Sequence, residues 1–493
     1  MSIPSSSWRR PALQVLAAMA VGVAALFVFR TLTVIDLTSL WNDELRTVEK
    51  SFQPSLAFLW RYLRSDVHPP LYYLAVWLLG QLFGQTVLVL RGFSWVLYLL
   101  TGLALMAAVW RWRPSGVALA SAGLLAWALP FTVRFAVEGK AYALMAALIA
   151  LALWQRQRLL LTRPGAARWY GLAWAAAALT HYYAFGLLLA QVACDARRGW
   201  RAPMRAACWA LIVPGLWTIS LISFLSTQAG REWIPPASPV LLTQTLRLAL
   251  GDQWLWILAI TAALVGVLTF TRRPAPAEPR GGLVAAWGLD AALLLMLVSV
   301  TVSLWKPSAV DRYYIVVVPA CIGALSCWFG TQIRVQERLD WRAALTLLAL
   351  TLLLVRFWGD AYTPVLPRQG VIHRKGENVR AISLATADAP WRYSRQCRQL
   401  NASDHVLRQG HWPVGDHAWI CVGPRLQHQD WVRLIAPLKP GDALVMAAVG
   451  KRQISLGGIE RDREQLEGMG LRCGRMQRYG SGTRLLRCSL PSA

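Results

Sequence analysis

The sequence predicts a polytopic α-helical membrane protein with a soluble α/β domain at its C-terminal end, on three observations. Apolar runs of about 20 residues recur through the first 357 positions. Arginines cluster in the short segments between those runs. After Asp360 the long apolar runs stop, and polar sequence with short β-rich stretches such as Ala443 to Val449 takes over. A chain that is 56% hydrophobic and 15% charged, with mean hydropathy +0.40, is no ordinary soluble enzyme. The net charge of +26 does not point to nucleic acid, because its arginines are spread over the inter-span segments.

These clusters are Arg111 and Arg113; Arg156, Arg158, Arg163 and Arg168; Arg197, Arg198, Arg201 and Arg205; Arg272, Arg273 and Arg280; and Arg334, Arg338 and Arg342. Placing them in the cytoplasm with Arg9 and Arg10 fixes the topology. The first span then runs from about Pro11 to Arg30 and delivers the loop Trp41-Asn42-Asp43-Glu44 to the outer face. Further spans fit near 86 to 110, 116 to 133, 141 to 155, 207 to 227, 254 to 271, 283 to 304, 313 to 330 and 343 to 357. With a short pair flanking His181, that makes about eleven crossings. The run from Pro70 to Gly84 has only about 15 residues, and counting it would put every later arginine loop on the wrong side. It reads as a helix at the outer interface or a re-entrant one, and Leu241 to Gly251 has the same character. The basic start followed by an apolar stretch has the outline of a signal peptide, but no small-residue cleavage site precedes the acidic loop, so a retained first span is expected.

An odd number of crossings leaves residues 359–493 outside as a soluble domain, with residues 1–358 forming the membrane domain. The outer domain holds Cys397, Cys421, Cys473 and Cys488. An even set there favours disulfides, and Cys397 to Cys421 with Cys473 to Cys488 is the simplest of the three pairings. A zinc site is disfavoured because none of these cysteines sits in a CxxC. The only biased segment is the Pro-rich linker from Pro274 to Pro279.

This topology gathers carboxylates and cations on one side of the membrane. Asp43, Glu44, Asp66 and His68 come from the first outer loop, Arg134, Glu138 and Lys140 from the second, and Thr180, His181, Tyr182 and Tyr183 from the third. Arg231 and Glu232 follow, then Lys306, Asp311, Arg312, Tyr313 and Tyr314. Each has a structural reading beside a functional one. Asp43 and Glu44 suit the first turn of a helix. Asp66 and His68 suit the cap of a helix with proline at its first position. Lys140 can snorkel, His181 can be a polar cap, and Arg312 with its tyrosines can belong to an aromatic belt. Ionisable residues at such depth are costly, and their default reading is a functional site.

Glycosyl transfer from a lipid phosphate needs this mixture. A carboxylate takes the acceptor's proton, which suits Asp43. Cations stabilise the departing phosphate as its charge grows, which suits Lys140, Arg312 and Lys306. Trp41, Tyr72, Tyr73, Tyr182 and Tyr313 can stack on a sugar or line a groove for a polyprenyl chain. No nucleotide-binding glycine loop is visible, in keeping with a lipid-linked donor.

The ordered set W-x-D-E at Trp41, D-x-H-P-P-L-Y-Y at Asp66, L-F-G at Leu82 with Arg91 following, E-x-K-x-Y at Glu138, H-Y-Y at His181 and R-Y-Y-x-x-x-x-P from Arg312 to Pro319 resembles the type C glycosyltransferases. More narrowly it is similar to the dolichyl-phosphate-mannose protein mannosyltransferase-like superfamily, which includes the bacterial aminoarabinose transferase of lipid A. The resemblance covers about positions 30 to 330. It implies many membrane helices, periplasmic interfacial helices and a catalytic aspartate in the first external loop, which maps onto Asp43 with Glu44 adjacent. Glu138 and Lys140 fall where related sequences carry E-x-R-x-Y; the lysine keeps the charge but loses the bidentate fork. Arg312 and Tyr313 map onto donor-phosphate contacts. The aminoarabinose branch has a lysine before the double proline where this chain has His68. That departure points to the broader, functionally unassigned branch rather than to lipid A modification.

The expected function is therefore inverting sugar transfer from a polyprenyl-phosphate donor to a periplasmic glycan, lipid or protein, by a multi-pass protein of the bacterial inner membrane with its N-terminus cytoplasmic. Asp43 and Glu44 are the catalytic candidates. Asp66, His68, Glu138, Lys140, His181, Tyr182, Lys306, Arg312 and Tyr313 are the candidates for substrate and phosphate binding. No cofactor is required, although a divalent cation held by paired acids is compatible with this chemistry. Partners are the donor lipid, the acceptor and the bilayer, without nucleic acid. Two rivals stand beside it: a flippase for a lipid-linked sugar, for which Asp290 is the one conspicuous intramembrane charge, although that lone aspartate is expected to bond to a neighbouring helix, and a scaffold presenting a basic outer domain.

Overall fold

The computed structural model of the chain describes residues 22–228, 234–270, 282–332, 378–423, 426–449, 458–479 and 483–491. Most of the expected first span, the linker at 274–279, the expected span at 343–357, Arg231 and Glu232 lie outside the described residues. So do Arg9, Arg10, Arg272, Arg273, Arg280, Arg334, Arg338 and Arg342. The chain divides into two compact units. One comprises residues 1–32, 61–72 and 93–362, and the other comprises residues 33–60, 73–92 and 363–493.

Helices dominate, as the long apolar runs of the sequence predict. Among the described residues three helices are long and apolar enough to cross a membrane, Val87–Trp112, Arg201–Ser220 and Asp311–Thr331. The number rises to five if each of two bent pairs is one span. Gly116–Ala128 and Pro130–Ala136 meet at 56°, where Pro130 opens the second helix. Pro239–Leu250 and Trp254–Val267 meet at 76°, and the break falls at Gly251, whose φ of 88° suits glycine. The short apolar run after the double proline forms the helix Leu71–Phe83, of 13 residues.

In the first unit close packing sets a large aromatic against a residue without a side chain. Trp287 is fully buried, and a Cβ added at Gly323 would lie 2.0 Å from its ring. A polar network lies within this helical packing. Arg156, buried in the helix Tyr142–Leu160, donates to Asp195 at 2.8 and 2.7 Å, to the Tyr170 hydroxyl at 3.2 Å and to the carbonyls of Ala285 and Ala286 at 3.1 Å each. Gln191 adds a bond to Asp195 at 3.1 Å. Desolvating such a pair is costly, and multiple bonds in fork geometry offset that cost. Arg156 is thus a buried partner of Asp195 rather than a solvated member of an inter-span cluster. Asp290 pairs with Arg198 from another helix.

The second unit carries a six-stranded sheet in the order β2-β1-β3-β6-β4, with β5 also on β6. Its strands are β1 Trp391–Ser394, β2 Ile420–Cys421, β3 Ala443–Val449, β4 Arg472–Cys473, β5 Gln477–Arg478 and β6 Thr483–Ser489. β1 runs parallel to β2 and β3, whereas β6 is antiparallel to β3, β4 and β5. Alternation on β3 sends Leu444, Met446 and Ala448 into a core with Leu486, Cys488, Trp431 and Leu466. Cys397 bonds to Cys421 and Cys473 to Cys488, the pairing that the sequence made simplest. On the Cys397–Gln409 helix, Asp404 pairs with the fully buried Arg392 at 3.0 Å. Burial nevertheless pushes the Asp404 carboxyl above its ordinary range.

Candidate functional site

Two groups of the expected residues take shape, one in each unit. In the second unit, the helix Asn42–Ser51 opens with Asp43 and Glu44 in its first turn, and the Glu44 carboxylate accepts from the backbone N–H of Trp41 at 3.2 Å. Glu44 is fully buried and Asp43 is partly exposed. The buried Arg91 grips Glu44 with two parallel bonds, Nε at 2.8 Å and Nη2 at 2.7 Å. Its remaining N–H groups go to the preceding loop. Nη1 donates to the Ile35 carbonyl at 3.0 Å, the Thr38 carbonyl at 2.9 Å and the Thr38 hydroxyl at 3.2 Å, and Nη2 to the Ser39 carbonyl at 3.2 Å. One guanidinium therefore fixes both the entry loop and the acidic first turn. Asp43, on the same turn, stays partly exposed.

In the first unit, Asp66 and His68 form a local pair. The Asp66 carboxylate accepts from Val67 N at 2.8 Å, and His68 Nδ1 lies 3.3 Å from it. Asp66 is buried, whereas His68 is partly exposed. The double proline is followed at once by the helix, whose first N–H, that of Leu71, donates to the carbonyl of Leu179 at 3.0 Å. This bond brings the segment from Thr180 to Tyr183 alongside.

Around His181 the later segments converge. Its Nδ1 accepts from Tyr183 N at 3.2 Å and caps the helix Tyr182–Arg197. Its ring lies 4.8 Å from that of Tyr313, 5.9 Å from Tyr142 and 5.9 Å from Tyr183. Arg312 donates from Nε to the Tyr142 hydroxyl at 2.9 Å, and its Cζ lies 5.7 Å from the Tyr313 ring centroid. Lys140 and Glu138 are both buried, and the Glu138 carbonyl accepts from Lys140 N at 2.8 Å and from Ser94 Oγ at 2.7 Å. Burial pushes the His181 imidazole down to about 3, and the charges of His68, Lys140 and Arg312 add to that shift. His181 is thus a neutral group among cations. Asp66 also lies within electrostatic reach of Tyr182. An aromatic wall with Arg312 over one of its rings and Lys140 within electrostatic reach of His181 can hold an anion and stack a sugar ring.

Lys306 stands exposed at the end of the helix Leu289–Trp305, and among the described residues no hydrogen bond or ion pair ties it to this cluster. Among the described residues no group of three or more His, Cys, Asp or Glu side chains is placed to hold a metal ion. In sequence Arg91, Tyr142 and Tyr183 stood only as members of the ordered motifs, with no role assigned to them. A signal for the first existed, since Arg91 sits near the start of a mainly apolar helix of 26 residues whose other charge, Arg111, lies in the last turn.

Two solved structures are similar to this chain over nearly its whole length. The crystal structure of ArnT from Cupriavidus metallidurans in the apo state matches with TM-score 0.59 and 14% sequence identity, covering 97% of this chain and 98% of that chain. The crystal structure of ArnT from Cupriavidus metallidurans bound to undecaprenyl phosphate matches with TM-score 0.54 and 14% identity, covering 95% and 97%. The chain shares the fold of ArnT. The type C architecture implied by the ordered motifs is thereby shown. At this identity the likeness speaks for the fold alone. No family model matches the sequence, and no curated protein matches it.

Proposed function

We propose that the protein is an inverting glycosyltransferase of the bacterial inner membrane that moves a sugar from a polyprenyl phosphate to a periplasmic glycan, lipid or protein. The observation that carries this reading is the cluster of Lys140, Arg312 and neutral His181 around tyrosines, in a chain with the fold of ArnT. One ArnT structure is bound to undecaprenyl phosphate, which supports a lipid-phosphate donor here. About eleven crossings, with residues 359–493 on the periplasmic side, complete the proposal. The two disulfides support that side, because such bonds persist in oxidising compartments.

In this reading the acceptor oxygen forms a bond to the anomeric carbon from the face opposite the phosphate, and the carbon to phosphate-oxygen bond breaks. Inversion follows from that single displacement. Asp43 accepts the acceptor's proton, and Glu44, locked by Arg91, keeps the turn in place. Lys140 and Arg312 meet the growing charge on the leaving phosphate. His181, kept neutral, can donate or accept a hydrogen bond without adding charge. Asp66, His68, Glu138, Tyr182 and Tyr313 orient sugar or acceptor, while Lys306, exposed and apart from this cluster, carries no step here. No cofactor is required, because the side-chain cations already serve the leaving group; a divalent cation would assist the same oxygen atoms.

The flippase rival needs ionisable groups along a path through the bilayer. Arg156 is consumed by Asp195 and Arg198 by Asp290, an arrangement that favours structural locks. The reading is tested with an Asp43→Asn variant, by following transfer in reconstituted membranes and by mass spectrometry of co-purifying lipid. The expected result is normal insertion, retained polyprenyl-phosphate sugar and turnover lowered by about 10³-fold or more. Turnover at the wild-type rate would sink the assignment of Asp43.

A further inference from the structure

We propose that Arg380 is a positioning residue for the acidic first loop, so that the C-terminal part of the chain sets the place of Asp43. This rests on the assignment of Asp43 as the base. The geometry forms a continuous line from the sheet to that loop, all within the second unit. Asn378 N donates to the Thr483 hydroxyl on β6 at 2.9 Å, and the Asn378 side chain caps the helix Val379–Ala385 by accepting from Ala381 N at 3.1 Å. That cap fixes Arg380 on the first turn. Arg380 then donates from Nη1 to the Asp36 carbonyl at 3.0 Å, from Nη2 to the Asp36 carboxylate at 2.6 Å and from its backbone N to the Ser39 hydroxyl at 3.2 Å. Its guanidinium is backed by the Trp412 ring, with Cζ 4.9 Å from the centroid.

Arg91 holds the carbonyls of Ile35, Thr38 and Ser39 in the same loop. Loop residues 35–39 are therefore gripped by two arginines just before the helix that carries Asp43. Two further contacts run alongside. His405 Nε2 lies 2.6 Å from the Gln85 side-chain oxygen, and Arg398 lies 3.8 Å from Glu49. The Asp36 side chain is 44% exposed, so its ion pair adds little stability by itself. Three bonds from one residue to two loop positions are better suited to fixing geometry than to holding the fold together.

The test compares Arg380→Ala and Arg380→Lys with the wild-type full-length protein in detergent, with Asp43→Asn as the reference. Hydrogen exchange by mass spectrometry reports the placement of residues 35–47, with β3 and β6 as internal controls for folding. In Arg380→Ala, exchange in residues 35–47 should rise while the strands stay protected. Turnover should fall by about 10- to 100-fold with little change in donor KM, as expected for a base displaced by about an ångström. Arg380→Lys should restore part of both. Unchanged exchange in residues 35–47 overturns the inference, and so does wild-type turnover of Arg380→Ala when Asp43→Asn is inactive. If Asp43→Asn itself turns over normally, the assignment of the base fails, and the grip on the loop is then judged by exchange alone.

Discussion

Replacing Arg91 by methionine isolates the interaction that builds the acidic turn. Methionine roughly preserves length and volume but removes six hydrogen bonds, two to Glu44 and four to the loop at Ile35, Thr38 and Ser39. Both Arg91 and Glu44 are 0% exposed, so water cannot replace the lost partner. Breaking one side of such a pair costs about 3–5 kcal/mol, because the other charge stays buried and uncompensated. Changing both sides, in Arg91→Met with Glu44→Leu, should recover much of that loss, since an apolar pair of similar volume is often as stable. A double-mutant cycle on thermal unfolding in detergent reads both numbers. A single-mutant loss below about 1 kcal/mol, or strictly additive losses, would refute the claim that Arg91 and Glu44 form one locked unit.

The remaining expectations concern the first unit. The His181 pKa of about 3 lies below the ordinary 6.5, so the unfolded chain binds the proton first and stability should fall as pH drops from about 6.5 towards 3. The slope from this group is about 1.4 kcal/mol per pH unit, and His181→Gln should flatten the unfolding midpoint against pH over that window. Asp195→Asn removes the charge facing the buried Arg156 and should cost about 3–5 kcal/mol, read as a lower unfolding midpoint and less monodisperse protein on size exclusion. An unchanged midpoint would show that the carbonyls of Ala285 and Ala286 suffice for Arg156.

What the sequence revealed, and what it hid, follows from how local each signal is. Helices over the apolar runs, a sheet in the polar C-terminal part and the cysteine pairing are written in composition and short spacing. Asp290 was legible as a residue bonded to a neighbouring helix, because a lone acid in an apolar run needs a partner, and Arg198 is that partner. Arg156 was not legible. In sequence it heads a basic segment, and nothing local tells a solvated arginine from one that reaches Asp195, a residue 39 positions away. Lys140 carried a snorkelling alternative that its burial removes. The cluster around His181 joins residues 170 positions apart, as between Tyr142 and Arg312, and only the helical packing brings such pairs together.

The adjacent acids of the first loop show how packing resolves what a motif leaves open. Neighbouring residues on a helix point about 100° apart, so Asp43 and Glu44 cannot both face the same surroundings. Arg91 decides between them. Its fork takes Glu44 inward and leaves Asp43 partly exposed on the next radial position. A proton acceptor must be reachable and must not already be committed to a buried arginine, which would hold it ionised but unavailable. Glu44 meets neither condition, whereas Asp43 remains reachable. Arg380 extends the same logic to the approach of the chain, since a reachable carboxylate is useful only if the loop before it cannot drift. The two carboxylates one residue apart are thus held differently, Glu44 anchoring the turn from within and Asp43 partly exposed, and the proposed base is the one of the two that an acceptor can reach.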